Sequence, residues 1–231
     1  MTRPARPPRF DPSSLTGALA ADRERALALM DVSRETLARL DRFVALLLDA
    51  QTRHNLIAPS TLSQIWTRHI ADSAQLLGLA PNAKIWADLG SGAGFPGVVI
   101  ACALADTPGA TVHLVESIGK KAAFLTETVR ALALPAKVHC LRIEKFVTMP
   151  IGSLDVVTAR ALAPLDKLLV LAEPLLSQGT QALLLKGQDV EVELTAASKC
   201  WNIEATLVPS KTSPEGRIVV VTGLQRLDKK R

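Results

Sequence analysis

The chain has 231 residues, 48% hydrophobic and 21% charged, enough for one domain of ordinary size with an appendage and a substantial core. No apolar run approaches the roughly 20 residues that cross a bilayer, so a membrane partner is not expected. The formal net charge of +5 favours a polyanionic partner, nucleic acid first. Aromatic residues are only 3%, with no tyrosine, so a platform that stacks unpaired bases is hard to build and RNA recognition would lean on arginine, lysine and backbone groups. Cys102, Cys140 and Cys200 are widely spaced and odd in number. They read as buried thiols of a reducing cytoplasm, and no clustered ligands suggest a metal.

Residues 1–13, rich in proline and arginine, lack the apolar segment of a secretory signal and read as a disordered basic tail. Residues 14–82 read as a helical layer packed on an α/β core. Ser14 to Met30 is a helical mix. Ser33 can cap a helix whose Leu37, Leu40, Val44, Leu47 and Leu48 follow the 3.6-residue period to Ala50. Gln51 to Pro59 reads as a connection, because Pro59 discourages helix at Ala58. A further helix begins at Ser60 or Thr61 and carries Leu62, Ile65, Trp66, His69, Ile70 and Ser73 along one side, ending near Gly78 and Pro81-Asn82.

From 83 to 224 strands and helices alternate: strand Ile85–Leu89, helix Gly97–Leu104, strand Thr111–Val115, helix Lys120–Leu132 (with Ala123, Phe124 and Thr128 towards the sheet), strand Lys137–Leu141 and strand Leu154–Thr158. Helix Leu165–Leu176, strand Gln181–Lys186 and helix Val190–Lys199 come next. Ile203–Val208 and Ile218–Thr222 flank a Pro/Ser/Gly-rich turn, which predicts an antiparallel hairpin at the edge of a mostly parallel α/β sheet. Residues 225–231 read as a basic tail.

The densest signal is Asp88-Leu89-Gly90-Ser91-Gly92-Ala93-Gly94-Phe95-Pro96-Gly97, a strand end, a glycine-rich turn and a helix start, the arrangement that holds nucleotide-like ligands. A dinucleotide fingerprint would need glycine where Phe95 stands, which disfavours an NAD-dependent dehydrogenase. An acid two residues ahead of G-x-G-x-G is similar instead to motif I of the Rossmann-like (class I) S-adenosylmethionine-dependent methyltransferases. In such a fold Gly90 and Gly92 let backbone approach the methionine part, Phe95 supplies an apolar wall, and Asp88 either orients the loop amides or balances the cofactor's positive charge. Glu116, closing the second strand, is placed to accept ribose hydroxyls, or else simply stabilises a helix N-terminus. Ile143 and Glu144, in the turn after the third strand, are the adenine-side candidates, an ordinary amphipathic turn being the alternative.

After the fourth strand comes Thr158-Ala159-Arg160-Ala161. The N-P-P-Y/F-type motif of exocyclic-amine methyltransferases is absent, and Arg160 can offer planar donors to a phosphate or a base edge but cannot act as a base. Lys186, after the fifth strand, adds a second cation near that mouth. Arg68, His69 and Asp72 share a helical stretch and read as a polar cluster tying the helical layer to the crevice. Arg53, Arg68, Lys120, Lys121, Lys186, Lys211 and the terminal Lys229-Lys230-Arg231 are candidates for meeting RNA phosphates, although any one of them is more often a solvated surface charge.

Taken together, Asn55-Leu56, Arg68-His69-Ile70-Ala71-Asp72-Ser73, the Asp88–Gly97 loop, Glu116-Ser117 with Lys120-Lys121, Ala159-Arg160-Ala161 and Lys186-Gly187 resemble the signatures of the bacterial small-subunit rRNA guanine-N7 methyltransferases, formerly called glucose-inhibited division protein B. The resemblance runs from about residue 37 to 222. It departs at Ala50, where the family often has tryptophan, and it leaves out the N-terminal tail. It implies S-adenosylmethionine as cofactor and methylation of N7 of one guanine in the decoding-region loop of 16S rRNA, with 16S rRNA, naked or in the small ribosomal subunit, as partner. A monomeric, cytoplasmic enzyme is expected. The family's cofactor contacts correspond to Gly90, Phe95, Ile143, Glu144 and Arg160. No general base is implied, Arg160 and Lys186 being positioning candidates. A non-catalytic RNA-binding assembly factor and a small-molecule methyltransferase are the competing readings.

Overall fold

The computed structural model describes residues 16–227. The expected tail at 1–13 and Lys229-Lys230-Arg231 lie outside the described residues. Helix α1 (Thr16–Leu27) is followed by α2 (Arg34–Gln51), whose first turn is closed by Ser33, its hydroxyl accepting the Thr36 N–H at 3.1 Å. Leu40, Phe43, Val44 and Leu47 form its buried stripe. Gln51, the last residue of α2, closes the next turn by accepting the N–H groups of Leu56 and Ile57 and donating to the Ile57 carbonyl.

The helix expected from Ser60 is a run of changing pitch. It comprises 3-10 turns over Pro59–Gln64, wide π turns over Trp66–Ala71, one α turn, α3 (Asp72–Ala74), and 3-10 turns again over Gln75–Leu79. The cause sits on α1. The fully buried carboxylate of Asp22 accepts the N–H groups of Trp66 (2.8 Å) and Thr67 (3.1 Å) and the Thr67 hydroxyl (2.7 Å). Those two amides are thereby drawn away from regular i→i−4 partners.

The α/β part is a seven-stranded sheet ordered β3-β2-β1-β4-β5-β7-β6. Its strands are β1 (Ile85–Leu89), β2 (Thr111–Val115), β3 (Ala136–His139), β4 (Val156–Arg160), β5 (Gln181–Lys186), β6 (Trp201–Pro209) and β7 (Arg217–Arg226). The first five are parallel, while β7 runs antiparallel to β5 and to β6. The order reverses between β1 and β4, which opens a crevice at their carboxyl ends. Helices α4 (Gly97–Ala103), α5 (Gly119–Ala131), α6 (Ile143–Phe146), α7 (Leu165–Leu176) and α8 (Val190–Ala197) supply the crossovers. One core joins α2 and the mixed helical run to α4, α5 and Trp86 of β1; a second joins Ala87 and Leu89 of β1 to α7, so successive residues of one strand serve opposite faces.

Several expected boundaries shift. β4 is displaced two residues towards Arg160. Asp155, just ahead of it, accepts the N–H groups of Lys84 and Ile85 at 2.7 and 2.8 Å, and Trp86 pairs with Val156. Arg160 therefore belongs to the strand itself. The hairpin is longer than its apolar runs, with Gln225 and Arg226 paired beyond the expected limit at 224. Ala123 faces solvent, and Ala122 and Leu125 take its place against the sheet. Among the cysteines only Cys102 is buried, inside α4, where burial pushes its thiol up to about 12. Cys140 and Cys200 are exposed because they stand in turns, just past edge strand β3 and between α8 and β6.

Gly97 is required by closeness. A Cβ there would stand 2.3 Å from Leu114 Cδ2 and 2.7 Å from Asp88 Oδ2, both held by central strands. Gly97→Ala should therefore lower stability in urea by about 1–3 kcal/mol. Gly119→Ala, where nothing lies within 4 Å, should leave it within experimental scatter or slightly raise it.

Candidate active site

The glycine loop leaves β1 in backbone that side chains disfavour, with φ of 76° at Gly90, 55° at Gly92 and 102° at Gly94. The N–H groups of Gly90 and Ser91 both point to the Val115 carbonyl at 2.9 Å, which anchors the turn to the end of β2. Glu116 bridges it from the side: one carboxylate oxygen accepts the Gly92 N–H at 3.0 Å, the other the Ile118 N–H at 2.7 Å. Leu162, after β4, stands over Gly90, and a Cβ at Gly90 would lie 2.8 Å from its Cδ1. The Phe95–Pro96 peptide bond is cis.

Asp88 lies beneath the loop, 1% exposed. Its carboxylate accepts the Gly97 N–H at 3.0 Å and the Thr158 hydroxyl at 3.2 Å. It thus joins β1, β4 and the start of α4, the loop-orienting one of its two expected roles. Burial raises its pKa to about 6 against the opposing pull of its hydrogen bonds.

Arg160 ends β4 with its guanidinium largely enclosed. It donates to the Arg68 carbonyl at 3.0 Å and to His69 Nδ1, and it pairs with Asp72 at 3.5 Å. Burial draws its pKa below the ordinary value while Asp72 and Asp88 oppose that, and a guanidinium stays charged throughout. The His69 ring stacks on Phe95 at 4.9 Å, Phe43 packs tilted against Phe95 at 5.4 Å, and Arg160 lies 5.3 Å from the Phe95 ring centre. Phe95 is 4% exposed, so most of its expected apolar wall is turned to the protein's own rings. His69 Nε2 meets the Thr61 hydroxyl at 3.0 Å. Burial, then the Arg160 and Arg68 charges, drive His69 down to about 3, so it faces Arg160 as a neutral ring.

Asp72 extends this cluster to the hairpin. Its Oδ1 accepts from Thr212 (2.7 Å), Gln75 (2.9 Å) and Ser210 (3.3 Å). Gln75 in turn accepts the Lys211 N–H at 2.9 Å. Between the hairpin tip, the mixed helical run and the ends of β4 and β5 lies a cleft of about 790 Å³. Arg68, Arg160, Lys186 and Arg217 contribute to its walls together with Asp72, Glu193 and Glu215, and the glycine loop and Glu116 are not among its lining residues. Arg160 thus lines a cleft of mixed charge and at the same time lies against Phe95 of the glycine loop.

Comparison with known proteins places this geometry. The GidB family model, described as rRNA small subunit methyltransferase G, matches residues 36–219. The chain belongs to this family. It is 60% identical over 208 residues to "Ribosomal RNA small subunit methyltransferase G" of Bradyrhizobium sp. (strain BTAi1), covering 90% of this chain and 94% of that protein. It is also 60% identical over 210 residues to the protein of the same name from Nitrobacter hamburgensis, covering 91% of this chain and 81% of that one. The fold is shared with an O-methyltransferase from Bacillus cereus solved with SAH, with a TM-score of 0.57 at 13% identity, covering 90% of this chain and 99% of the other. The methyltransferase G family is thus carried on a class I methyltransferase fold, as the glycine spacing and the resemblance led us to expect.

Of the sequence candidates, Asp88, Gly90, Gly92, Phe95, Glu116 and Arg160 converge at the crevice. Ile143 opens α6, half-buried against the second core, and Glu144 beside it is exposed. Lys186 reaches the cleft wall, but its ammonium is held by Glu193 at 2.5 Å and by the Ala163 carbonyl at 3.0 Å. Arg68 lines the cleft; Arg53, Lys120, Lys121 and Lys211 do not, and Arg53 is paired with Asp49 at 2.7 Å. The sequence reading missed Arg217, Glu193, Thr158 and the Ser210/Thr212 tip, which only chain packing brings to this place. The tip carried a turn signal and the candidate Lys211, but nothing that marked its hydroxyls.

Titration behaviour is set by these environments. His69, brought to about 3, and His113, lowered by burial to about 4 beside His139 at 2.9 Å, each contribute stability that is complete above their ordinary 6.5 and is lost as pH falls through the folded value. Asp88, raised from 3.8 to about 6, acts oppositely: its contribution is complete at low pH and lost as pH rises through 6. Urea midpoints should fall from pH 6.5 to pH 4. His113→Gln should make that fall shallower, and Asp88→Asn should make it steeper by removing the opposing contribution.

Proposed function

We propose that this chain transfers the methyl group of S-adenosylmethionine to N7 of one guanine in 16S rRNA. The observation that carries the reading is Arg160, which lies against Phe95 of the glycine loop and also lines a partly cationic cleft, in a member of the rRNA small subunit methyltransferase G family. The residues fit the cofactor, since the loop has positive φ at three glycines and the Glu116 carboxylate is fixed beside it by the Gly92 and Ile118 N–H groups. In this reading Gly90 and Gly92 receive the methionine part, Glu116 the ribose, and Ile143 with Glu144 the adenine edge. Residues 83–224 would form the cofactor-binding part, and the described part of the N-terminal layer, 16–82, contributes residues to the cleft wall.

When bound, the cofactor supplies a methyl group on a positively charged sulfur. Guanine N7 has a free lone pair, so the N–C bond can form as the C–S bond breaks, sulfur keeps the electron pair, and no proton leaves the purine at that step. What the protein then owes the reaction is alignment and exclusion of water, with no general base. Arg160 suits this: it is permanently charged, cannot abstract a proton, and carries planar donors at the cleft wall beside Phe95 of the glycine loop. Arg68 and Arg217 line the cleft that would receive RNA, with Lys120, Lys121, Lys211 and Arg53 available to more distant phosphates. All these groups come from one copy, so a monomer acting in the cytoplasm, where 16S rRNA is made and assembled, suffices.

Mapping 7-methylguanine in 16S rRNA from cells with and without this gene tests the proposal. One methylated guanine should disappear with the gene and return with the intact copy, and an unchanged map would reject it. Incubation with free guanosine should yield no product, which separates it from a small-molecule methyltransferase. In purified protein, Arg160→Ala should cut turnover on the order of 100-fold, and Arg160→Lys should restore little of it. A rate and a cofactor affinity both unchanged in Arg160→Ala would remove Arg160 from the site.

A further inference from the structure

The short segment Ala161-Leu162-Ala163-Pro164 joins the reactive end of β4 to α7 and roofs the first glycine of the cradle. Ala161 takes φ of 50°, the left-handed region that a residue with a Cβ avoids, so the segment does not hold its shape by local preference. Leu162 is the part in contact, its Cδ1 reaching 2.8 Å from the position of a Cβ on Gly90.

Two side chains from another crossover hold the segment down. Lys186, the last residue of β5, donates to the Ala163 carbonyl at 3.0 Å, and its ammonium pairs with Glu193 of α8 at 2.5 Å. The same Glu193 oxygen accepts the N–H of Leu165, the first residue of α7, at 2.6 Å. The pair therefore grips the roof from both ends of its second half, through a carbonyl and the next free helix N–H. Lys186 is 9% exposed and Glu193 27%. Enclosure of this degree, with every contact charge-assisted, makes the grip stronger than a surface ion pair. Both residues also line the cleft, so the latch stands where RNA would enter and bears on the side where the cofactor would lie.

We propose that Glu193 and Lys186 are positioning residues that latch the 161–164 roof over Gly90, and so set how tightly the cradle holds the methionine end of the cofactor and where Arg160 presents its guanidinium. This rests on the methyltransferase reading of the site. Lys186 then acts through the backbone of its own chain, and its charge is spent before any phosphate reaches it.

The test uses the full chain, with S-adenosylhomocysteine binding followed by calorimetry and methyl transfer measured on small ribosomal subunits. Glu193→Ala should weaken S-adenosylhomocysteine roughly tenfold, the size of one lost charge-assisted hydrogen bond, and lower kcat, with the KM for subunits nearly unchanged. Glu193→Gln keeps an acceptor oxygen and should recover part of both losses. Lys186→Met keeps the buried stem and should reproduce the Glu193→Ala pattern, and it decides the matter if Glu193→Ala does not fold. Unchanged S-adenosylhomocysteine affinity and kcat in a folded Glu193→Ala or Lys186→Met protein would overturn the latch. A rise in the KM for subunits alone would also overturn it, since that is the behaviour of a phosphate contact. Failure of the wild-type chain to bind S-adenosylhomocysteine would instead defeat the methyltransferase reading itself.

Discussion

The crevice depends on one carboxylate. Asp72 sits on the irregular helical run and holds, on separate oxygens, the guanidinium that ends β4 and the hydroxyls at the tip of the β6–β7 hairpin. Three parts of the chain far apart in sequence converge on it. An arginine in this position without a partner would be an uncompensated, largely buried charge, which is strongly unfavourable. Asp72 and the Arg68 carbonyl make the placement tolerable, and neutral His69 supplies a further acceptor without adding positive charge. The mutual constraint works in both directions: Arg160 organises the helical run, and the helical run orients Arg160.

A second carboxylate, fully buried, plays the complementary part beneath the glycine loop. Asp88 accepts a backbone amide and a hydroxyl, and burial pushes its pKa up although those hydrogen bonds and the more distant Arg160 charge pull the other way. The two acids differ in their neighbours, not in residue type, and the difference suits their duties. Asp88 pins the glycine loop to two central strands, a structural task that needs hydrogen-bond acceptance. Asp72 must neutralise a permanent charge next to the cleft. The loop is held by polar contacts to the ends of β1, β2 and β4, the 161–164 segment by Lys186 at the end of β5, and the guanidinium by the helical run, which gives this corner several independent restraints.

Irregularity in the N-terminal layer has the same origin. Asp22 on α1 takes two backbone amides of the run at Trp66 and Thr67, the run changes pitch there, and His69 and Asp72 fall within reach of Arg160. Periodicity marked Leu62, Ile65, Trp66, His69, Ile70 and Ser73 as one helical side, and all six are buried. It could not register the change of pitch, because the competing acceptor lies 44 residues away in the chain.

Local patterning was enough for the parallel sheet with its terminal hairpin, the Ser33 cap, the glycine loop and the acids that close β1 and β2. Each of those depends on neighbours a few residues apart: alternation of apolar residues, a hydroxyl three positions from an amide, glycines where a Cβ would collide. The motif spacing also told S-adenosylmethionine from a dinucleotide, and the resemblance named the family that the comparisons bear out. Tertiary structure alone decided that Lys186 is committed to Glu193, that Arg217 joins Arg68 and Arg160 around one cleft, that Cys140 and Cys200 are exposed, and that Phe95 faces protein rings on most of its surface. Those outcomes turn on which charge finds which partner across the sheet. Pairing of that kind depends on distance in space, and a linear pattern of residue types does not record it.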